Sequence, residues 1–594
     1  MLTRALLFVF CAAVVAHAQG RGQAANPNAK RAVILLGKTQ LLNDAAAFPA
    51  FAKKHAGTKR SKLRADTVEE LKAIAKKEQA AILKALGSPE DARSLWIVNA
   101  LALKLTAEEI QKARALEMVK FVYPGMALPD ESKAPVKVSE VLKPGDPARP
   151  FSTKGKDIPW NLKGLGVTKV WKKHKVYGAG VVVAMFDQGI NYLHEDIRQN
   201  MWVNPGEVAN NGKDDDKNGL VDDLYGYHFS AWSPEIKTGG RRQHGTLTSS
   251  VVAGDGTGGK ITGVAPRAKL MGLIGFGGPY TAARCFQYAI ENGADIVNMS
   301  FSIPDLGHTR GLWRLMAEQA TCSGLVLISG SGNFRRNAKV PVQIRIPEGI
   351  PCVICIGGVT KKKKLSQISS CGPVEWSKVK FYEDHPMPKG LIKPDVVAFP
   401  GPGIGLVTAS GDKGYLGENN GRRGNSLSAP HVAGICALML SVNPELTAWR
   451  VKEILEATAK DIAPRGKDNE TGAGLVNALK AVTAAKEVVP LQASPQKGPF
   501  NRESDRLSPI RPQPCEIRCA ARDHHARQPG EYPPHRPTIY RWRLSVLLWP
   551  INRVVTSSES HSSNECHEDD CSLCRPGPDR SCVRAWMGQH AEHS

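Results

Sequence analysis

No uninterrupted apolar stretch approaches the roughly 20 residues that a membrane-spanning helix needs, so no membrane partner is expected. A compact basic stripe is missing too. The formal net charge is +23, but the excess is scattered, and residues 361–364, all lysine, form its only tight run, a solvated loop between strand-like segments. Without a clustered footprint to neutralise phosphates, nucleic-acid binding is excluded as the leading function. Lysine disappears beyond Lys497, while Arg, Pro, His, Ser and Cys accumulate without apolar periodicity. Residues 486–594 are therefore expected to be a disordered or aberrant basic tail. Cysteine is present but offers no framework, since of the 13 only Cys285, Cys322, Cys352, Cys355, Cys371 and Cys436 lie between the first residues and that tail. Cys352 and Cys355 sit in an apolar strand-like run and read as packed thiols, not as a redox or zinc pair.

What the chain does contain falls into segments. Arg4, the apolar run from Ala5 to Val15 and Ala16-His17-Ala18 have the order of a signal peptide, assigned to residues 1–18 and implying a secreted, extracellular or periplasmic product. Residues 19–125 form a second segment, in which strand and helix patterns alternate. Val33 to Leu36 is β-like, Asp66 and Glu69 open a helix that Gly87 closes, 94–101 is a strand, Thr106 and Glu109 cap another helix, and 119–123 is a last strand. That alternation predicts a small α+β unit of ferredoxin-like type. Residues 126–157 have the Pro, Lys, Gly and Asp content of an exposed, protease-sensitive linker.

From 158 to 485, buried-strand runs at 181–186, 270–274, 296–299, 325–328, 353–356 and 396–398 alternate with helical patterns. Continuous apolar strands separated by helices predict an α/β, three-layer domain around a mainly parallel sheet. Three segments in it carry chemistry. The strand Val182-Val183-Ala184-Met185-Phe186 runs into Asp187; His244-Gly245-Thr246 opens a small-residue helix; and Gly424-Asn425-Ser426-Leu427-Ser428-Ala429-Pro430 opens another. A lone strand-end Asp is often a cap, and a lone His is often only a satisfied polar group. The order Asp, His, Ser makes the combination specific.

With Gly263-Val264-Ala265-Pro266, Asn298-Met299-Ser300, Gly332-Asn333 and Lys393-Pro394-Asp395, these segments resemble the subtilisin-like serine proteases (subtilases, peptidase family S8) from about Trp160 to Ala485. Residues 30–125, most clearly Trp96-Ile97-Val98-Asn99-Ala100, resemble the inhibitory propeptide of that family. The resemblance implies a secreted serine endopeptidase made as an autoinhibited precursor, working as a monomer on polypeptide substrates with its own propeptide as inhibitor. Asp187, His244 and Ser426 would be the triad, Asn333 the oxyanion-hole donor, and Ser300, Phe301 and Ser302 with Gly330, Ser331 and Gly332 the substrate-binding edges. The rival reading is a catalytically silent subtilase fold that binds without cutting. Ser302 and Ile303 stand where the family carries glycines, Asn425 where Thr is common, and Gln188 and Leu247 also depart from the family pattern. Asp214, Asp216, Asn218, the Leu220 carbonyl and Asp222 have the 1, 3, 5, 7, 9 spacing of a structural Ca²⁺ loop, with Gly219 permitting the turn.

Overall fold

The computed structural model describes residues 28–488 except 125–126, 133–136, 144, 146–148, 238–243, 305–306, 409 and 463. The expected signal peptide and the tail beyond 488 lie outside the described residues. Everything below belongs to one compact unit of the chain.

The first part is a four-stranded antiparallel sheet built from β1 (Arg31–Gly37), β2 (Arg93–Leu95), β3 (Ala100–Leu105) and β4 (Val119–Pro124), in the order β2-β3-β1-β4. Helices α1 (Ala47–Lys54) and α2 (Arg60–Ala85) follow β1, and α3 (Ala107–Ala115) follows β3. This is the split β-α-β order that the sequence predicts. Thr106 and Glu109 form the expected capping box on α3.

Two boundaries differ from expectation. Helix α2 starts at Arg60, six residues before the Asp66 signal, because its first turn is held by tertiary partners: Glu445 accepts from the Ser61 backbone and hydroxyl, and Arg60 pairs with Asp295. The 94–101 strand is broken by a 3₁₀ turn at Trp96–Val98, which Asn99 closes in the left-handed region at φ 40°. Asn99 can hold that conformation because its side-chain amide donates to the Thr39 carbonyl (2.9 Å).

The second part is a seven-stranded, all-parallel sheet. Its strands are β5 (Val182–Phe186), β6 (Gly226–His228), β7 (Lys269–Ile274), β8 (Ile296–Met299), β9 (Val326–Gly330), β10 (Ile354–Gly358) and β11 (Val396–Ala398), ordered β11-β10-β9-β8-β5-β7-β6. Six of these match runs read from the sequence; the three-residue β6 is too short to leave one.

Helices cover both faces. Val183 and Met185 of β5 face one core with α6 (244–253) and α9 (425–442), where α4 (160–164), α5 (167–174), α10 (448–458) and α11 (478–487) also pack. Ala184 and Phe186 face the other core, which holds α7 (279–291) and α8 (309–322). Period-2 alternation thus sends every second residue of a strand to a different helical layer. Helix α9 is apolar and long enough to cross a membrane by composition, but 83% of its window is buried, so it is the central core helix.

The first part shares the second core. Ile34, Leu36, Ala100, Ala102 and Trp96–Val98 join the cluster of α7 and α8, while the opposite sheet face, with Val33, Leu35, Leu101 and Leu103, packs on Ile82 and Ile110. The 126–157 segment is less exposed than its composition suggests: Val138 and Leu142 are buried, and Phe151 packs on Trp171 and Tyr177. All six cysteines of the folded region are buried free thiols.

Candidate active site

Strand order reverses beside β5, since β6 and β7 lie on one side of it and β8 to β11 on the other. Such a switch point opens a crevice at the carboxyl ends of the strands. Asp187 follows β5 there, and its carboxylate is nearly fully enclosed (3% exposed). It takes His244 Nδ1 at 2.8 Å and 3.0 Å on its two oxygens. The Gln188 N–H donates to Oδ1 (2.7 Å) and the Thr248 hydroxyl to Oδ2 (3.0 Å). Thr248 lies one turn along α6 from His244, so a single helix presents the imidazole and steadies its acid partner. Thr248 left no signal in the sequence beyond that spacing.

Burial pulls the His244 pKa down, but the Asp187 charge and hydrogen bond pull it up by more, against a smaller opposing push from Arg422; the net value lies above the usual imidazole value. The ring is therefore a stronger base than a free histidine, with its Nδ1 side committed to the carboxylate.

Ser426 is the second residue of α9, and the start of that helix is fixed by both neighbouring strand ends. Ser300, just past β8, donates its hydroxyl to the Ser426 carbonyl (2.9 Å). Gly330, the last residue of β9, lies so close to Asn425 that a Cβ there would sit 2.4 Å from the Asn425 carbonyl oxygen. The buried Asn425 amide donates to Ser331 Oγ (2.8 Å), the Gly332 carbonyl (2.9 Å) and Ser369 Oγ (3.0 Å). The Asn that departs from the family pattern thus ties α9 to the edge after β9 and to the loop that carries Ser369 beyond β10.

Asn333 Oδ1 accepts from the Asn425 N–H (2.8 Å), which leaves Nδ2 as the donor side of the amide. A Cβ on Gly424 would lie 3.3 Å from Asn333 Nδ2 and 3.8 Å from Ser426 Oγ, so amide donor and hydroxyl flank the same small space. Among the described residues no direct hydrogen bond joins Ser426 Oγ to His244. Such contacts often tighten only when substrate is bound.

The nearby second histidine has another role. His431, fully buried on α9, donates Nδ1–H to the Leu427 carbonyl (2.7 Å) and accepts from Asn161 Nδ2 at Nε2 (2.8 Å). Burial depresses its pKa to about 4, so it stays neutral and fastens the start of the domain to α9.

The edge residues divide by environment. Ser300 is buried; Phe301 stacks among Phe186, Phe276 and Trp313; and Ser302 donates its hydroxyl to Glu348 Oε1. Gly330, Ser331 and Gly332 are buried along the facing edge.

In the acidic loop, Asp214 accepts from the Asn218 and Gly219 N–H groups (3.0 and 2.9 Å), and Asp222 from those of Asn211 and Gly212 (3.0 Å each). The Asn218 side-chain oxygen accepts from the Leu220 N–H (2.8 Å). The carboxylates that converge, with oxygens within 4.8 Å of one another, belong to Glu207, Asp216 and Asp223. Of the residues expected from spacing, only Asp216 belongs to this cluster. Glu207 is seven residues upstream of the loop, beyond the reach of a spacing rule. Burial first, and then the Asp216 and Glu207 charges, push the Asp223 pKa up to about 7, against hydrogen bonds that oppose the shift.

The profile of the Subtilase family matches residues 178–474, half of the 594-residue chain, and the chain belongs to that family. It is 25% identical over 416 residues to fervidolysin of Fervidobacterium pennivorans, covering 64% of this chain and 52% of that protein. It is 25% identical over 321 residues to subtilisin-like protease 1 of Plasmodium berghei (51% and 49% covered) and 26% over 332 residues to alkaline elastase YaB of a Bacillus species (54% and 70%). The chain thus spans about half the length of the first two relatives. The crystal structure of fervidolysin, described as a keratinolytic enzyme related to subtilisin, aligns with a TM-score of 0.47 at 20% identity, over 78% of this chain and 62% of that one.

Proposed function

We propose that the protein is a secreted serine endopeptidase, made as an autoinhibited precursor and active as a monomer on polypeptides. The observations that support this reading are an imidazole held by Asp187 and, at the start of α9, the Ser426 hydroxyl beside an Asn333 amide whose oxygen is already tied down. In the reaction, Ser426 Oγ attacks the scissile carbonyl carbon while its proton passes to His244 Nε2. The oxygen of the tetrahedral intermediate accepts from Asn333 Nδ2 and the Ser426 N–H, helped by the positive end of the α9 dipole. His244 then protonates the leaving amine, and water repeats the sequence on the acyl-enzyme. Asp187 keeps its charge throughout and holds the imidazole with Nε2 toward the serine.

The N-terminal α+β unit is read as propeptide and inhibitor, released or reorganised after cutting in 126–157. A structural Ca²⁺ suits the acidic loop, whose converging donors are all oxygens, the set a hard cation prefers. Glu207, Asp216 and Asp223 would hold it.

Labelling by a fluorophosphonate probe tests the core of the reading. Processed wild-type protein is expected to label and Ser426→Ala is not; a folded, processed wild type that stays unlabelled would point instead to a silent binding module.

A further inference from the structure

Glu348 is completely buried and forms no ion pair among the described residues, although the Arg345 charge acts on it from a distance. Its Oε1 accepts from the Ser302 hydroxyl and from the Arg345 backbone N–H (3.0 Å), but Oε2 has no hydrogen-bond partner among the described residues. The nearest guanidinium, that of Arg345, is engaged elsewhere: it lies 3.6 Å over the Phe334 ring, and its Nε donates to the Val342 carbonyl (3.4 Å). Two other enclosed carboxylates in the domain are matched by cations, Asp395 by Lys393 and Lys452 and Glu318 by Arg314. An enclosed carboxylate with an unpaired oxygen is costly unless something pairs with it.

Its place in the fold suggests what does. Glu348 lies in a turn closed by the Gly349 N–H on the Arg345 carbonyl (2.7 Å). That turn bridges the two edges that frame the nucleophile. Glu348 holds Ser302, and Ile346 pairs by backbone with Ile303, both on the edge leading from β8. Arg345 covers Phe334, which follows Asn333 on the edge leading from β9. The same edges meet the start of α9 through Ser300 and Asn333. A peptide strand lying between them with a carbonyl at Ser426 sends alternate side chains to opposite faces. The side chain just before the scissile bond would then point toward that turn.

We infer that Glu348 is the specificity-determining residue of this site and that it selects lysine or arginine immediately before the scissile bond. The inference rests on the serine endopeptidase reading. The cation meets the open Oε2, and its methylenes lie along the buried Ile344 and Ile346.

The test compares peptide substrates that differ only at that position, Arg or Lys against Leu or Phe, on processed wild type and Glu348→Gln. Wild type is expected to favour the basic side chain, and Glu348→Gln to lower kcat/KM on it by about 10²- to 10³-fold, as when one partner of a buried charge pair is removed. The ratio of kcat/KM on the Leu peptide to that on the Arg peptide should rise by the same factor, and fluorophosphonate labelling should persist. A wild-type preference for Leu or Phe, or an equal loss on both peptides, would overturn the assignment. Binding of the same peptides to processed Ser426→Ala protein, by calorimetry, separates this from the catalytic reading: preference for the basic peptide supports Glu348 even if the wild type proves silent, and indifference rejects it.

Discussion

On the proposed reading, Asn333 is one side chain prepared for a charge that is not yet there. Its oxygen is fixed by the Asn425 N–H, so the remaining donor is oriented before substrate arrives. Asn333→Ala should therefore lower kcat by about 10²- to 10³-fold, the usual consequence of deleting one oxyanion donor, with little change in KM; steady-state kinetics on one peptide would check it. On the same reading His244, as the proposed general base, sets the acid limit. Because Asp187 raises the imidazole pKa above the free value of about 6.5, and only the neutral ring can accept the serine proton, kcat/KM should fall as pH drops through a point above 6.5. In Asp187→Asn the rate should collapse and that limb should move to lower pH. The linked stability has the opposite sense, since the charged pair stabilises the fold below the unfolded imidazole pKa and its contribution is lost as pH rises through the folded value.

At the level of elements, the site depends on how closely the end of β9 meets the start of α9. A methyl group on Gly330 would press on the Asn425 carbonyl, which is backbone and cannot swing aside. Gly330→Ala is expected to cost about 1–3 kcal/mol, as overpacking does, and to depress kcat by displacing Ser426; a wild-type melting curve and unchanged turnover would refute this. The sequence made the larger strands legible because buried parallel strands leave continuous apolar runs, and it made the chain order of Asp187, His244 and Ser426 legible because those residues sit at strand and helix ends. Contacts between distant segments left no such trace. The Ser61–Glu445 anchor that moves the start of α2, the Asn161–His431 tie and the approach of Glu207 to Asp216 each join residues that no local period links. Asn425 was visible as a departure, but its three partners belong to loops that only the fold brings together.

For the whole molecule, one proposed and one observed coupling bear on stability. Charge repulsion among Glu207, Asp216 and Asp223 would be relieved by Ca²⁺, so chelation with EDTA should lower the melting temperature and added Ca²⁺ should restore it; an unchanged Tm would rule out a structural ion there. The second coupling is the core shared by the N-terminal sheet and the α7–α8 layer. Trp96, Ile97 and Val98 are buried in that layer, Gln319 donates its side-chain amide to the Ile97 carbonyl, and Arg60 meets Asp295 at 2.7 Å while Asp295 also takes the Val182 N–H at the start of β5. The N-terminal sheet cannot cover both of its faces alone, because Ile34, Leu36, Ala100 and Ala102 have their cover in the catalytic part. Cutting within 126–157 removes one covalent connection and none of these contacts. The two pieces of a nicked protein should therefore elute together in gel filtration, and Arg60→Ala, which removes the cation bonded to Asp295 and leaves only the charge of Arg64 near it, should weaken retention of the N-terminal piece by about 1–3 kcal/mol. Separation of the wild-type pieces at low micromolar concentration would show that burial at this interface does not outweigh the cost of association, and that cleavage alone frees the active site.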